Sequence, residues 1–317
     1  MKYRKLIPVI LGAAMLCGCE PNVPDTTTDV SYTSTQNPGN GTDESLSPSQ
    51  SDHIDDTENS TENGTAAPEI SGNPGEIVQV NSLSFEEMDR LDNTKIGWGL
   101  GKEKNTDGQP LDAVTANTKY GGYDALFLGN SGEKKIYLTF DEGYENGKTA
   151  EILDILKEKN VKAAFFVTYD YCKSSPELVQ RMIDEGHTVG NHSYTHPSFP
   201  DCSLKEVLDE IKMLHDYVSE NFGYEMTLFR FPKGEFSERS LAAVQSMGYK
   251  SVFWSFAYAD WDTTNQPSYG EAYEKITSSV HPDAIYLLHA VSETNAACLA
   301  DVIDYWTSEG YILAEIS

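Results

Sequence analysis

The sequence predicts an α/β fold with a parallel sheet that is either open or closed into a barrel. From Lys134 to the C-terminus, short apolar segments that suit buried strands alternate with amphipathic segments that suit helices. The first strand is predicted over residues 136–140, and a helix follows over residues 148–159. Polar residues capable of chemistry come at or just after several predicted strand ends, where βα-barrels carry their active sites.

The same alternation continues through the rest of the chain. Further strands are predicted over residues 163–168, 188–192, 226–231, 250–254, 284–288 and 311–315. Helices are predicted over residues 176–185, 204–222, 237–247, 273–280 and 295–308. Ser203 suits the N-cap of the longest helix, because its hydroxyl can accept a hydrogen bond from a free amide of the first turn.

The chain is acidic, with 317 residues and a formal net charge of −27. This charge argues against binding to nucleic acid and against non-specific attraction to anionic membranes. No Lys or Arg occurs between Lys5 and Arg90. The charge restricts the partners of the protein but says little about its fold.

Residues 1–19 have the pattern of a lipoprotein signal peptide. A basic start is followed by an apolar run over residues 6–16 that is too short to span a membrane. The run ends in Leu16-Cys17-Gly18-Cys19, which resembles a bacterial lipobox with Cys19 as the lipidated residue. We therefore expect the protein at the extracytoplasmic face of the bacterial cell membrane, held by a lipid anchor. The alternative is an ordinary cleaved signal peptide, which would leave the protein secreted.

The sequence after the signal peptide divides into three parts. Residues 20–76 are rich in Ser, Thr, Asn and acidic residues and nearly devoid of large apolar ones, which predicts a disordered linker. Residues 77–133 are predicted to form an irregular leader packed on the main domain, which spans residues 134–317. Cys172, Cys202 and Cys298 leave two alternatives, one disulfide with a free thiol or three reduced cysteines.

Two motifs are candidates for a metal and a base. Asp141 and Glu142 follow the first strand, and neighbours on a strand point to different sides, so one could act as base and the other as metal ligand. The alternative is a solvated turn. His192 and His196 could both face one metal ion if the residues between them form a turn, and imidazole suits Zn²⁺. Otherwise they are polar loop residues.

Three further residues could complete such a site. Arg230 follows a predicted strand and could pair with a catalytic carboxylate, or it could be an ordinary surface residue before a turn. His289 emerges from an apolar strand, where a histidine is most often a satisfied core residue. If Asp260 reaches it, the two would instead form a general-acid pair.

Taken in order, five motifs resemble those of the polysaccharide deacetylases, the NodB-homology group of carbohydrate esterase family 4. The motifs are TFDEG, HSYTH, RFPKG, ADWD and LLH, and the resemblance covers about residue 96 to the C-terminus. Tyr144-Glu145-Asn146-Gly147, Phe253-Trp254-Ser255 and residues 281–292 resemble the delta-lactam-biosynthetic branch. Members of that branch remove acetyl groups from N-acetylmuramic acid in peptidoglycan.

The resemblance implies a distorted (β/α) barrel and a metal-dependent hydrolysis of amide bonds. It implies that Asp141 is the base that deprotonates a metal-bound water and that His289 is the acid that protonates the departing amine. His192 and His196 match the metal-binding histidines of the family, and the implied cofactor is a divalent metal, with Zn²⁺ favoured. Glu142 occupies the position of the third ligand, where most members have Asp and the delta-lactam branch often has Asn.

The resemblance also implies supporting roles for five other residues. Arg230 matches the residue that pairs with the base, and Asp260 the residue that tunes the acid. The backbone N–H of Lys233 matches an oxyanion donor. Trp261 and Leu287 match residues that wall the acetyl pocket.

The predicted partner is peptidoglycan or a related N-acetylated glycan, and three alternatives remain at this stage. The first is deacetylation of N-acetylglucosamine instead of N-acetylmuramic acid, since no residue is seen to recognise the lactyl group. The second is a catalytically silent carbohydrate-binding lipoprotein, which Asp141 and His289 argue against. The third is a solute-binding lipoprotein of a transporter, which would not explain five motifs in order.

Overall fold

The computed structural model describes residues 83–316. In this part of the chain the strands are β1 (Ile96–Gly97), β2 (Ala125–Leu126), β3 (Lys135–Glu142), β4 (Ala164–Val167), β5 (Thr188–Asn191), β6 (Leu228–Phe229), β7 (Glu235–Phe236), β8 (Lys250–Val252), β9 (Ala284–His289) and β10 (Ile312–Leu313). The helices are α1 (Phe85–Asp89), α2 (Leu111–Tyr120), α3 (Thr149–Glu158), α4 (Tyr169–Ser174), α5 (Pro176–Asp184), α6 (Leu204–Phe222), α7 (Glu238–Ser246), α8 (Tyr269–Ser278) and α9 (Glu293–Ser308). The predicted alternation of strands and helices is confirmed.

One parallel sheet forms the centre of the fold. Its strands lie in the order β9, β3, β4, β5, β6, β8 and β2, and β10 pairs with the first residues of β3. Beyond β8 the chain reaches β9, where the amides of Ser255 and Phe256 donate to the carbonyl of Ile285 at 2.9 and 3.1 Å. The amide of Leu287 donates in turn to the carbonyl of Phe256 at 2.9 Å. The sheet therefore curls back on itself, which confirms the distorted (β/α) barrel.

Side chains alternate between the two sides of this curled sheet. On β4, Phe165 and Val167 join the large apolar core that also contains the helix side chains. Their neighbours Ala164 and Phe166 belong instead to a small cluster with Leu228, Val252 and Ile285. Because the members of this cluster come from four different strands, they converge inside the barrel.

The long helix α6 begins and ends where the sequence predicts. The hydroxyl of Ser203 accepts from the amide of Glu206, and the Glu206 carboxylate accepts from the amide of Ser203, which confirms the predicted N-cap. The helix ends at Phe222 and is followed by Gly223, whose φ of 62° is left-handed. The helix also contacts the segment that carries His192, since the carbonyl of Ile211 accepts from the side chain of the preceding residue, Asn191, at 2.9 Å.

The segment before Lys134 is more regular than the predicted irregular leader. It supplies α2, and its strand β2 joins the main sheet by pairing Ala125 with Ser251 and Leu126 with Val252. A strand of two residues is too short to produce a recognisable alternation in the sequence. Helix α8 also starts before the predicted residue 273, because Ser268 and Glu271 form a capping box.

Several predictions concern residues beyond the described part of the chain. The signal peptide, Cys19, the linker and residues 77–82 of the leader lie outside residues 83–316. Within the described range, no helix has the length and apolar character needed to cross a membrane. Cys172, Cys202 and Cys298 are free thiols, and Cys172 and Cys298 are buried.

Candidate active site

A cavity of about 430 Å³ opens at the carboxyl ends of the parallel strands. Its lining comes from the ends of β3, β5 and β9 and from the loop after β8, and comprises Asp141, Gly143, Tyr144, His192, His196, Trp261, Asp262, Thr263, His289 and Val291. Asp141 and His289 are register partners on the neighbouring strands β3 and β9. The structure thus brings together five of the predicted site residues at this cavity.

Arg230 follows β6, is fully buried and is not part of the cavity lining. Its Nη1 donates to Asp141 Oδ1 at 2.9 Å and to Thr139 Oγ1 at 2.8 Å. Its Nε and Nη2 donate to the carbonyls of Val252 and Phe253 at 2.9 and 3.1 Å. The guanidinium also lies 4.2 Å from the ring centroid of Phe166. Arg230 is therefore fixed in position by three strands of the barrel.

This arrangement keeps Asp141 ionised. Burial by itself would raise the pKa of Asp141, but the positive charge of Arg230, with contributions from His192 and His289, holds that pKa below its ordinary value. Oδ1 is occupied by Arg230, while Oδ2 lies 3.6 Å from His192 Nε2. A carboxylate held in one orientation at the edge of a cavity can accept a proton there.

His192 presents an unprotonated Nε2 to the cavity. Its Nδ1 lies 2.8 Å from the carbonyl oxygen of Arg230, and a carbonyl can only accept, so Nδ1 carries the proton. Burial lowers the pKa of His192. Burial and the charge of the nearby His192 ring lower the pKa of His196 to about 4. Both imidazoles are consequently neutral at pH 7, which is the form that binds metal ions.

A strained turn brings the two histidine rings together. Ser193 and His196 have φ angles of 69° and 60°, in the left-handed region that side chains disfavour. The Asn191 side chain accepts from the amide of Ser193 at 2.9 Å, and the Ser193 hydroxyl accepts from the amide of His196 at 2.9 Å. The rings then lie with centroids 4.8 Å apart. The residues between His192 and His196 therefore form a turn, which is the condition for both rings to face one metal ion.

Glu142 lies apart from this cavity. It follows Asp141 directly on β3 and is fully buried, and neither carboxylate oxygen has a hydrogen-bond partner. Burial raises the pKa of Glu142 well above its ordinary value, and the nearby charges of Glu145 and Asp141 add to this. Alternation along the strand turns consecutive side chains to opposite sides, so Glu142 faces away when Asp141 faces the cavity.

The residues present fit a divalent ion only in part. The neutral Nε2 of His192 and the neighbouring ring of His196 have the donor chemistry that Zn²⁺ prefers. Within residues 83–316, however, no group of three His, Cys, Asp or Glu side chains has the arrangement of a metal site. The carboxylate of Glu142, matched by the sequence to the third ligand, is not brought to the two histidines.

His289 lines the same cavity and forms a tight pair with Asp260. His289 Nδ1 lies 2.7 Å from Asp260 Oδ1, and the amide of His289 donates to Asp260 Oδ2 at 2.8 Å. Burial alone would lower the pKa of His289, but the hydrogen bond and charge of the fully buried Asp260 raise it, as does the charge of Asp141. These contacts favour the protonated form of the His289 ring, which lines the cavity.

The remaining predicted residues differ in their access to the cavity. Trp261 lines it and is 60% exposed, and Tyr144, which also lines it, is 53% exposed. Leu287 is buried on the same side of β9 as His289, two residues earlier. Lys233 is exposed with a φ of 59°, and its charge contributes to the lowered pKa of His196.

Two residues of the site, Thr139 and Asn295, were not predicted as site residues from the sequence. Thr139 accepts from Arg230 and donates to the carbonyl of Tyr286 at 2.7 Å. Its position two residues before Asp141 could have indicated this role, because alternation places the side chains of Thr139 and Asp141 on the same side of β3. Asn295 contacts Asp260 from the first turn of α9, where the sequence pattern offers only a helix start.

Comparison with known proteins identifies the family. Residues 128–252 match the family described as "Polysaccharide deacetylase". The peptidoglycan-N-acetylmuramic acid deacetylase PdaA of Bacillus subtilis is 42% identical over 232 residues, which make up 73% of this chain and 88% of that protein. The peptidoglycan-N-acetylglucosamine deacetylase PgdA of Listeria monocytogenes is 35% identical over 178 residues, 56% of this chain and 37% of that protein.

A solved structure agrees with these sequence matches. The structure of Bacillus subtilis PdaA, described as a family 4 carbohydrate esterase, matches with a TM-score of 0.67 and 41% identity. The match covers 71% of this chain and 96% of the solved chain. The prediction of a deacetylase enzyme is confirmed by these relatives. The protein accordingly belongs to the polysaccharide deacetylase family, as the order of its five motifs indicates.

Proposed function

We propose that the protein removes acetyl groups from N-acetylmuramic acid residues of peptidoglycan. The observation that carries the proposal is the pair of fixed groups facing one cavity, Asp141 held by Arg230 and His289 held by Asp260. Muramic acid is favoured as the target because the PdaA match is both closer and longer than the match to the glucosamine deacetylase, at 42% against 35% identity.

Asp141 acts as the base in this proposal. Hydrolysis of an amide requires a water molecule from which a proton is removed as the oxygen attacks the carbonyl carbon. Oδ2 of Asp141 accepts that proton, since Oδ1 is bonded to Arg230. The lowered pKa of Asp141 keeps the carboxylate available at neutral pH.

His289 acts as the acid. An amine is a poor leaving group unless its nitrogen is protonated as the carbon–nitrogen bond breaks. Nδ1 of His289 is committed to Asp260, so the proton on Nε2 is the one transferred to the sugar nitrogen. Asp260 stabilises the protonated ring, and the acetate and the free amine then leave.

His192 and His196 are the residues that would hold a divalent ion. When bound, such an ion supplies positive charge that polarises the acetyl carbonyl and stabilises its developing negative charge. Zn²⁺ suits the two imidazoles. The proposal leaves Glu142 outside this ligand set, because its side chain does not line the cavity.

The other cavity residues are proposed to bind the sugar. Trp261 and Tyr144 expose aromatic faces, on which the apolar face of a sugar ring can stack. The backbone N–H of Lys233 is proposed as a donor to the oxyanion, and Leu287 as an apolar wall for the acetyl methyl group. Deacetylation of N-acetylglucosamine is the alternative reaction, and it would use the same catalytic groups.

The proposed location is the extracytoplasmic face of the cell membrane. Its support is the basic and apolar start of the chain, the Leu16-Cys17-Gly18-Cys19 motif and the cell-wall substrate in the names of the relatives. A diacylated Cys19 would hold the domain near the membrane while the linker lets it reach glycan strands.

Asp141→Asn should reduce acetate release by about 10²- to 10⁴-fold, because the amide cannot accept the proton of the attacking water. The assay uses peptidoglycan from which the peptide stems have been removed. Mass spectrometry of the digested glycan then identifies the sugar that loses its acetyl group. Asp304→Asn is the matched control, since Asp304 is 61% exposed and pairs with Lys159 on the outer surface. Circular dichroism checks folding, as the variant leaves Arg230 without its carboxylate. Unchanged activity in folded Asp141→Asn would refute the proposed base, and loss of acetyl from glucosamine alone would refute the proposed target.

Glu142→Gln should bind Zn²⁺ with nearly the affinity of the unmodified protein, whereas His192→Ala should lose about tenfold or more. Calorimetric titration of the three metal-free proteins measures this directly and does not depend on turnover. Glu142→Gln should also leave the free energy of unfolding unchanged or raise it, because a buried carboxylate without partners is costly. An equal loss of affinity in both variants would place Glu142 among the ligands.

Asp260→Asn should shift the alkaline limb of the pH–rate profile by about one unit to lower pH. The acid must be protonated to work, and Asp260 raises the pKa of His289, so its loss lets His289 deprotonate at lower pH. The rate as a function of pH is measured at saturating substrate, with Asp304→Asn as control. An alkaline limb that stays in place would contradict the assignment of His289 as the acid.

Cys19→Ser should abolish incorporation of labelled fatty acid and release the protein from the membrane fraction. Cys17→Ser is a close control, because the lipobox pattern assigns lipidation to Cys19 and not to Cys17. Labelling that persists in Cys19→Ser, or is lost in Cys17→Ser instead, would contradict the proposed anchor.

A further inference from the structure

We infer that Asn295, oriented by Tyr258, is a positioning residue that holds the Asp260 carboxylate against His289. This inference rests on the proposed function in treating His289 as the acid of the reaction. It adds Asn295 and Tyr258 to the Asp260–His289 pair, and neither Asn295 nor Tyr258 lines the cavity.

The Asp260 carboxylate is held by three donors. His289 Nδ1 lies 2.7 Å from Oδ1, the His289 amide donates to Oδ2 at 2.8 Å, and Asn295 Nδ2 donates to Oδ2 at 2.6 Å. Asp260 is 0% exposed and Asn295 is 1% exposed, so water does not compete for these bonds. Without Asn295, one carboxylate oxygen would depend on a single backbone amide, and the plane of the carboxylate could turn.

The orientation of the Asn295 amide is unambiguous. Nδ2 lies near two groups that can only accept, Asp260 Oδ2 and the carbonyl of His289 at 3.2 Å. Oδ1 accepts from the hydroxyl of Tyr258. Burial and the charge of Asp260 raise the pKa of Tyr258, so this hydroxyl keeps the proton that it donates. Tyr258 therefore prevents the amide from flipping and presenting an oxygen to Asp260.

Helix α9 and the loop after β8 are tied together around this residue. The hydroxyl of Ser292, the N-cap of α9, accepts from the backbone N–H of Asn295 at 3.1 Å and donates to Gln266 Oε1. Gln266 Nε2 donates to the carbonyls of Asp260 and Asp262 at 2.8 and 2.7 Å. The backbone on both sides of the Asp260–Asn295 bond is thus fixed, which a purely local cap of α9 would not require.

Asn295→Ala should lower kcat by about tenfold and leave KM unchanged, because Asn295 orients the acid without contacting substrate. The decisive measurement is a double-mutant cycle. In the Asp260→Asn background the same substitution should change kcat by less than about twofold, since the residue acts through Asp260. Tyr258→Phe should show the same pattern with a smaller effect of about threefold, and it covers the case in which Asn295→Ala fails to fold.

Asn117→Ala is the matched control for loss of a structural asparagine. Asn117 bonds the backbone of residues 127–128 at the edge of the sheet, and its loss should lower stability without changing kcat or its response to Asp260→Asn. Effects of Asn295→Ala that are equally large in both backgrounds would overturn the inference, as would an unchanged kcat in the folded variant.

A second readout separates this inference from the proposed function. The Nδ1 proton of His289 should give a downfield NMR resonance that broadens in Asn295→Ala and in Tyr258→Phe but not in Asn117→Ala, without any substrate present. Absence of acetate release from the unmodified protein would refute the proposed function while this resonance still tests the positioning role. A resonance that stays equally sharp in both positioning variants would overturn the inference.

Discussion

The site depends on one buried interaction, the contact between the Arg230 guanidinium and the Asp141 carboxylate inside the barrel. A buried arginine is costly unless it is paired and hydrogen-bonded, and here all three guanidinium nitrogens donate, to Asp141, Thr139 and the carbonyls of Val252 and Phe253. The same bonds join strands β3, β6 and β8. The cation that sets the charge state of Asp141 is therefore also part of what holds the carboxyl ends of these strands together.

The two halves of the cavity use opposite electrostatics. Arg230 keeps the Asp141 carboxylate deprotonated, whereas the buried Asp260 raises the pKa of His289 and so favours the protonated form of its imidazole. Asp141 and His289 are register partners on adjacent strands, so the sheet itself holds a carboxylate and an imidazole at a fixed separation. Chemistry that needs both groups in one reaction can then proceed without a large rearrangement.

Strand geometry also explains why Asp141 and Glu142 differ so strongly. Both follow the same apolar run, yet one lines the cavity and the other is buried with unpartnered oxygens. A carboxylate without hydrogen bonds avoids its charge by taking up a proton, which agrees with the raised pKa of Glu142. Similar carboxylic acids in adjacent positions thus acquire opposite protonation behaviour from their surroundings.

The sequence by itself determined the alternation of strands and helices, the N-cap at Ser203 and the identity and order of the five motifs, because these depend on local periodicity and residue type. It could not determine how the barrel closes, since closure depends on a pairing of only two residues, Ser255 and Phe256, with β9. It also could not place Asn295 beside Asp260, because the two are 35 residues apart and local pattern carries no record of such contacts. Which carboxylate of the first motif reaches the cavity was likewise decided by the tertiary structure, since alternation shows that neighbouring side chains diverge but only the curvature of the sheet determines which side is the inside.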